Sequence, residues 1–136
     1  MLTVQIQKQL SHFALDVDFN VNDEIVVLFG PSGSGKTTIL NCIAGLSKPD
    51  EGIIRYNHMT FFQNGKTNVL TQKRRVGYLF QDYALFPHMT VWNNIKYGMK
   101  EEQFAKQLMK ELHIEHLHNE YPRHISGGEK QRVAIA

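Results

Sequence analysis

The chain has 136 residues, 42% hydrophobic and 21% charged, which is the composition of an ordinary globular domain and not of a disordered segment. A formal net charge of +2 is too small to argue for nucleic acid, which calls for a clustered basic face, and a single cysteine excludes a disulfide framework. The longest apolar run, Ile25 to Phe29, falls far short of the roughly twenty residues that cross a bilayer, and the N-terminus lacks a charged-then-apolar signal pattern, so a cytoplasmic location is expected.

Leu2, Val4 and Ile6 alternate with polar residues, and Phe13, Leu15, Val17, Phe19 and Val21 repeat the same period of two. That period predicts two half-buried strands, antiparallel to each other. After the turn at Asn22-Asp23-Glu24, Ile25-Val26-Val27-Leu28-Phe29 runs without alternation, the pattern of a strand covered on both faces of a parallel sheet. A helix is predicted from Gly35, with Ile39, Leu40, Ile43, Ala44 and Leu46 inward and Gly45 and Pro49 marking its end. Cys42 lies within it as a small core residue.

Ile53 to Tyr56 reads as a short strand, whereas 57–72 carries only a weak signal, with Phe61-Phe62 and Asn64-Gly65 suggesting a hairpin or loop. Lys73-Arg74-Arg75 is the only basic run and reads as a solvated edge before a second buried strand, Val76 to Phe80. That strand ends at Gln81-Asp82, at the sheet edge where ligands of open α/β sheets sit. Helices are expected over Thr90 to Gly98, with Thr90 as cap, and over Glu101 to Leu112, with Ala105, Leu108, Met109 and Leu112 inward. Tyr121-Pro122 breaks the pattern. Ser126 and Glu129 have the spacing of a capping box before a last helix that is still in stride at Ala136, so the chain reads as part of a longer one. His113, His116 and His118 share one segment, but their spacings and the lack of a supporting cysteine or carboxylate cluster favour surface histidines over a metal site.

The chemistry concentrates in Gly30-Pro31-Ser32-Gly33-Ser34-Gly35-Lys36-Thr37-Thr38, a glycine, four free positions and Gly-Lys-Thr, set between an apolar run and a helix. Glycines let the backbone wrap a phosphate chain closely and take positive φ. Lys36 would carry charge to the β and γ phosphates, Thr37 would offer its hydroxyl to Mg²⁺, and Thr38 would reach the α-phosphate side. The loop alone fits kinases, GTPases, motor ATPases and transporters alike.

Two further stretches narrow it. Ile125-Ser126-Gly127-Gly128-Glu129-Lys130-Gln131-Arg132 closely resembles the signature sequence of ATP-binding cassette (ABC) ATPases, and Gln81 resembles their glutamine loop. With Lys73 to Asp82 and Leu85-Phe86-Pro87-His88, the chain is most similar to bacterial importer ATPases of the molybdate and sulfate type. The resemblance implies an α/β fold: a P-loop NTPase (RecA-like) core with an N-terminal antiparallel β subdomain and a helical subdomain, the C-terminal part of the core sheet missing. It implies a division near 1–82 for β subdomain and core, 83–125 for the helical subdomain and 126–136 for the signature helix.

By the same resemblance, Gly30 to Thr38 would hold ATP, Thr37 and Gln81 would face Mg²⁺, and Ser126, Gly127, Gly128 and Glu129 would close on the ATP of a second ATPase subunit paired head to tail. Phe86, Pro87, His88 and Trp92 are candidates for gripping transmembrane permease subunits, with burial in the domain's own core as the alternative. That arrangement implies a peripheral place on the inner face of the membrane. The family's adenine-stacking aromatic has no clear match, and Phe13 or His12 are the substitutes. The aspartate, catalytic glutamate and switch histidine that follow in the family do not occur here, so the 136-residue chain is expected to expose apolar sheet surface, bind nucleotide weakly and hydrolyse none. A soluble kinase or GTPase, and a non-catalytic nucleotide-binding module, are the competing readings.

Overall fold

In the computed structural model, which describes residues 1–99 and 101–136, the chain divides into two units, Met1–Gly77 and Tyr78–Ala136. The first is organised by a sheet whose strands are β1 (Leu2–Gln9), β2 (Ala14–Val21), β3 (Glu51–Tyr56), β4 (Met59–Gln63) and β5 (Thr67–Asn68), in the spatial order β2-β1-β3-β4-β5 with every pairing antiparallel. The alternation in β1 and β2 has the physical effect expected of it. Val4, Ile6 and Leu15 are buried while Gln5, Gln7, Asp16 and Asp18 face outward, where Gln5 donates to Asp18 and Gln7 to Asp16 across the pair.

Val4, Ile6, Ile54, Phe61 and Phe62 form the core of this unit, together with Cys42 from helix α1 (Lys36–Ala44). Two consecutive phenylalanines are both buried because the β3–β4 register slips by one. Ile54 pairs with Phe62 and Arg55 with Thr60, so Phe61 is the extra residue of a β-bulge. β3 also comes very close to β1 at Gly52, where φ is +103° and an added Cβ would run into the Gln5 carbonyl. Gly52→Ala is therefore expected to cost about 1–3 kcal/mol from backbone strain before any clash is counted. A urea midpoint unchanged by the substitution would contradict this register.

Arg74 overturns the reading of 73–75 as a solvated edge. A one-turn helix, α2 (Thr71–Arg74), delivers its side chain inward, where only 3% of the residue stays exposed. Its guanidinium donates to the carbonyls of Cys42 at 2.7 Å and Ile43 at 2.8 Å at the end of α1, to Val69 O at 2.9 Å, to Asn68 Oδ1 at 3.1 Å and to Phe61 O at 3.4 Å. It also lies 5.4 Å from the centre of the Phe61 ring. Carbonyls at a helix C-terminus carry partial negative charge and lack intrahelical donors, so a rigid five-donor fork fits them. Burial lowers the Arg74 pKa from its ordinary value. The α1 end is closed as well by Gly45, at φ +85°.

Several sequence expectations are corrected here. Ile25–Phe29 forms no strand; it is irregular, with Ile25 96% and Phe29 99% exposed. Val76–Phe80 is likewise irregular and exposed at Val76, Leu79 and Phe80. A strand's hydrogen bonds belong to its neighbours, and no described segment supplies a ladder for either run. On α1 the inward face is Ile39, Cys42 and Ala44 with Ile43 half-buried, whereas Leu40 and Leu46 are each 46% exposed. The weakly patterned 57–72 contains β4, β5 and the start of α2, joined at Asn64-Gly65 by a turn in which Gly65 has φ +71°.

The second unit is helical: α3 (Val91–Lys96), α4 (Glu102–Glu111) and α5 (Gly127–Ile135), with single 3-10 turns at Glu115–Leu117 and Pro122–His124. Val91, Ile95, Ala105, Met109, Ile114, Leu117, Ile125 and Val133 make its core. Thr90 caps α3 by accepting from Asn93 N–H at 3.2 Å, as its position predicted. Among the described residues no helix is long and apolar enough to cross a membrane.

Candidate functional site

The phosphate-loop residues lie in the first unit. Two left-handed glycines shape the loop, Gly33 at φ +81° and Gly35 at φ +91°, and Ser34 N–H bonds back to Pro31 O at 3.2 Å. Gly35 is the N-cap of α1 and supplies no side-chain acceptor, so the first-turn N–H groups of the helix face the loop without a capping side chain. Space as well as φ calls for glycine at this position. A Cβ on Gly35 would stand 2.9 Å from Leu15 Cδ1 and 3.5 Å from Phe13 Cζ, and one on Gly30 would stand 2.9 Å from Ser34 Oγ.

Lys36 turns back over the loop, its ammonium donating to Pro31 O at 2.6 Å, Gly30 O at 2.8 Å and Ser34 Oγ at 3.3 Å. The loop is thus gathered around one cation, with Ser32 and Gly33 exposed at its tip and Thr37 exposed in the first helical turn. Thr38 is half-buried on the next position. Thr37 offers a hard hydroxyl oxygen beside Lys36, the donor type that Mg²⁺ takes, and the glycine-lined cradle fits a polyphosphate. Phe13, 38% exposed, edges the start of α1, and His12 beside it is exposed.

Burial pushes the Cys42 thiol up, which keeps this core cysteine protonated and unreactive.

Gln81 and Ser126 to Glu129 lie in the second unit. Gln81 and Asp82 are exposed on a turn in which Tyr83 donates its N–H to Phe80 O at 3.0 Å, and Tyr83 and Ala84 both take left-handed φ, +65° and +48°. Ser126 caps α5 in a complete capping box. Glu129 Oε2 accepts from Ser126 N–H at 2.7 Å and from Ser126 Oγ–H at 2.9 Å, while Glu129 N–H reaches Ser126 Oγ at 3.4 Å. The bonds from the Ser126 backbone and then from its hydroxyl hold the Glu129 carboxyl below the usual carboxylate range, and His116 adds to this. Gly127 and Gly128 are exposed, with open space where a Cβ would stand.

Sequence reasoning overlooked Asn94, and it read His116 as a surface histidine without marking the approach of its Nε2 to Glu129 Oε1 at 3.7 Å. Asn94 organises the loop that carries Phe86, Pro87 and His88: its Oδ1 accepts from Phe86 N–H at 2.7 Å and its Nδ2 donates to Phe86, Met89 and Thr90 carbonyls. Phe86, Pro87 and His88 are exposed, and the Phe86 ring lies 4.6 Å from that of Tyr97. Trp92 is half-buried, packs against the unit's core and stacks on His118 at 4.8 Å. An asparagine inside a predicted helix gives no sign that its amide reaches back to a preceding loop, so no local signal marked Asn94.

The first unit thus carries a glycine-shaped loop feeding a helix, and the second a serine-capped helix that opens on Gly127-Gly128. The family profile described as ABC transporter matches residues 14–136, and the chain belongs to that family. It is 44% identical to the molybdenum import ATP-binding protein ModC of Haemophilus influenzae, over 99% of this chain and 40% of that protein. It is 40% identical to the molybdate/tungstate import ATP-binding protein WtpC of Archaeoglobus fulgidus, over 99% of this chain and 57% of the relative. Among solved structures it matches the dimeric bacterial ABC transporter cassette MJ0796, with a TM-score of 0.77, 30% identity, and coverage of 99% of this chain and 67% of that one. The same cassette bound to ADP and Pi gives a TM-score of 0.78. The chain therefore spans about 40 to 57% of the curated relatives named here.

Proposed function

We propose that this chain is the nucleotide-binding portion of an ATPase subunit that couples ATP binding and hydrolysis to import of an oxyanion, molybdate above others, through a membrane transporter. The observation that carries the reading is the loop of Gly30 to Thr38, closed around the Lys36 ammonium and shaped by left-handed Gly33 and Gly35. It presents backbone N–H groups, a helix N-terminus and a movable cation to one anion. Lys36 would exchange its bonds to Gly30 and Pro31 carbonyls for β and γ phosphate oxygens. Mg²⁺, held by the Thr37 hydroxyl, would neutralise phosphate charge when bound. Phe13 is the aromatic we assign to the adenine.

Ser126, Gly127 and Gly128 would meet the γ-phosphate bound by a second ATPase subunit in a head-to-tail dimer. Phe86, Pro87 and His88, held by Asn94, would face the transmembrane permease subunits, and the protein would then sit on the inner face of the cell membrane. Trp92, half-buried against the unit's own core and stacked on His118, is left out of that surface. The solute assignment draws on the molybdenum and molybdate/tungstate import names of two relatives.

Deleting the gene and restoring it in full tests both halves. Molybdate uptake is expected to vanish on deletion and return with the intact gene but not with a Lys36→Met copy. Uptake of molybdate that survives deletion while another oxyanion's is lost would reassign the solute. Full-length protein that neither binds nor turns over ATP would overturn the reading entirely.

A further inference from the structure

The carboxylate at position 129 faces two ways. Its Oε2 holds both the N–H and the hydroxyl proton of Ser126, and its Oε1 lies 3.7 Å from His116 Nε2 on the 3-10 turn Glu115–Leu117. The His116 side chain is 64% exposed and that of Glu129 25%. Serine has one hydroxyl proton, and while it is donated to Glu129 it is not available to a phosphate oxygen. An approaching phosphate also meets the negative charge of the carboxylate itself.

We propose that Glu129 and His116 are positioning residues that control when Ser126 can bind phosphate: His116, once protonated, draws the Glu129 carboxylate away from the serine hydroxyl and balances its charge. The inference rests on the reading of Ser126 as a contact to the nucleotide of a second subunit. Nearby charges do not share this role. Glu115 on the same turn, Lys110 and Glu111 at the end of α4, Lys96 on α3 and Lys130 and Arg132 on α5 make no ion pair with either residue among the described residues, Lys96 being engaged by Glu102. Among the described residues, His116 is the ionisable side chain within ion-pair distance of Glu129.

A purely structural capping role would give a stability effect with no change in pH profile. Handing over the hydroxyl proton gives a different pattern. In the full-length protein, ATP-driven pairing of subunits is measured by sedimentation between pH 6 and pH 8, the range in which imidazoles titrate. The wild-type pairing constant is expected to tighten by about two- to fivefold from pH 8 to pH 6, the range an exposed ion pair supports. His116→Ala should remain at the pH 8 value throughout. Glu129→Gln, which keeps the capping-box geometry but removes the negative charge and weakens the hold on the serine hydroxyl, should pair at least as tightly at pH 8 as the wild type does at pH 6. The double variant should follow Glu129→Gln. A wild-type pH slope retained in His116→Ala, or weaker pairing of Glu129→Gln at pH 8, overturns the proposal while leaving the composite ATP site standing. Absence of ATP-driven pairing in every variant and in the wild type removes the composite site, and this proposal with it.

Discussion

Replacing Arg74 with methionine is expected to destabilise the Met1–Gly77 unit by about 2–6 kcal/mol, since at least two buried carbonyls each lose a charge-assisted donor at about 1–3 kcal/mol. The carbonyls most affected are those of Cys42 and Ile43, at the end of the helix whose other end carries Lys36. Methionine would recover part of the packing against Phe61, but none of the donors. Arg74→Lys should recover less than half of the loss, because an ammonium cannot span the α1 end, Val69, Asn68 and the Phe61 carbonyl together. Trp92, the only tryptophan, lies in the other unit, so its fluorescence is no direct reporter of this one. Hydrogen exchange of α1 and β4 amides during urea titration is the suitable measurement, and a loss below about 0.5 kcal/mol would show that water replaces the guanidinium.

The second large effect concerns function rather than folding. In the full-length protein, Lys36→Met should lower ATP turnover by about 10²–10³-fold, the scale on which removal of one preorganised charge or donor at a developing anion is felt. Stability should hardly move. The Lys36 bonds to Gly30, Pro31 and Ser34 are exposed or only partly buried, so water can take the freed acceptors. Turnover within tenfold of wild type, or a large fall in the unfolding midpoint, would mean that the ammonium ties the loop together instead of serving phosphate.

Local chemistry was legible where it is self-contained. The alternation of β1 and β2, the Thr90 cap and the Ser126–Glu129 capping box depend on residues a few positions apart, and each appears in the structure. So does the pair of glycines that bends the phosphate loop. Continuous apolar runs were less informative, since Ile25–Phe29 and Val76–Phe80 carry strand composition but composition does not provide the neighbouring strand. Arg74 was hidden for the opposite reason. Its two basic neighbours, Lys73 and Arg75, are exposed, and nothing in a Lys-Arg-Arg run marks the middle residue as the one that turns inward to a helix end thirty-odd positions earlier in the chain. The Phe61 bulge escaped notice too, because burying two adjacent aromatics contradicts the period of two by which strands are recognised.

The unladdered run Ile25-Val26-Val27-Leu28-Phe29 has a consequence for anyone handling the protein. It is a charge-free, proline-free segment of three β-branched residues, a leucine and a phenylalanine that lies outside any strand, with Ile25, Val26, Val27 and Phe29 exposed. Such a segment is a template for intermolecular cross-β stacking, with no lysine, proline or bulge within it to act as gatekeeper. Preparations in which this stretch stays uncovered should therefore precipitate in a concentration-dependent way, and the length of their useful life would be set by association between molecules before any unfolding of the core.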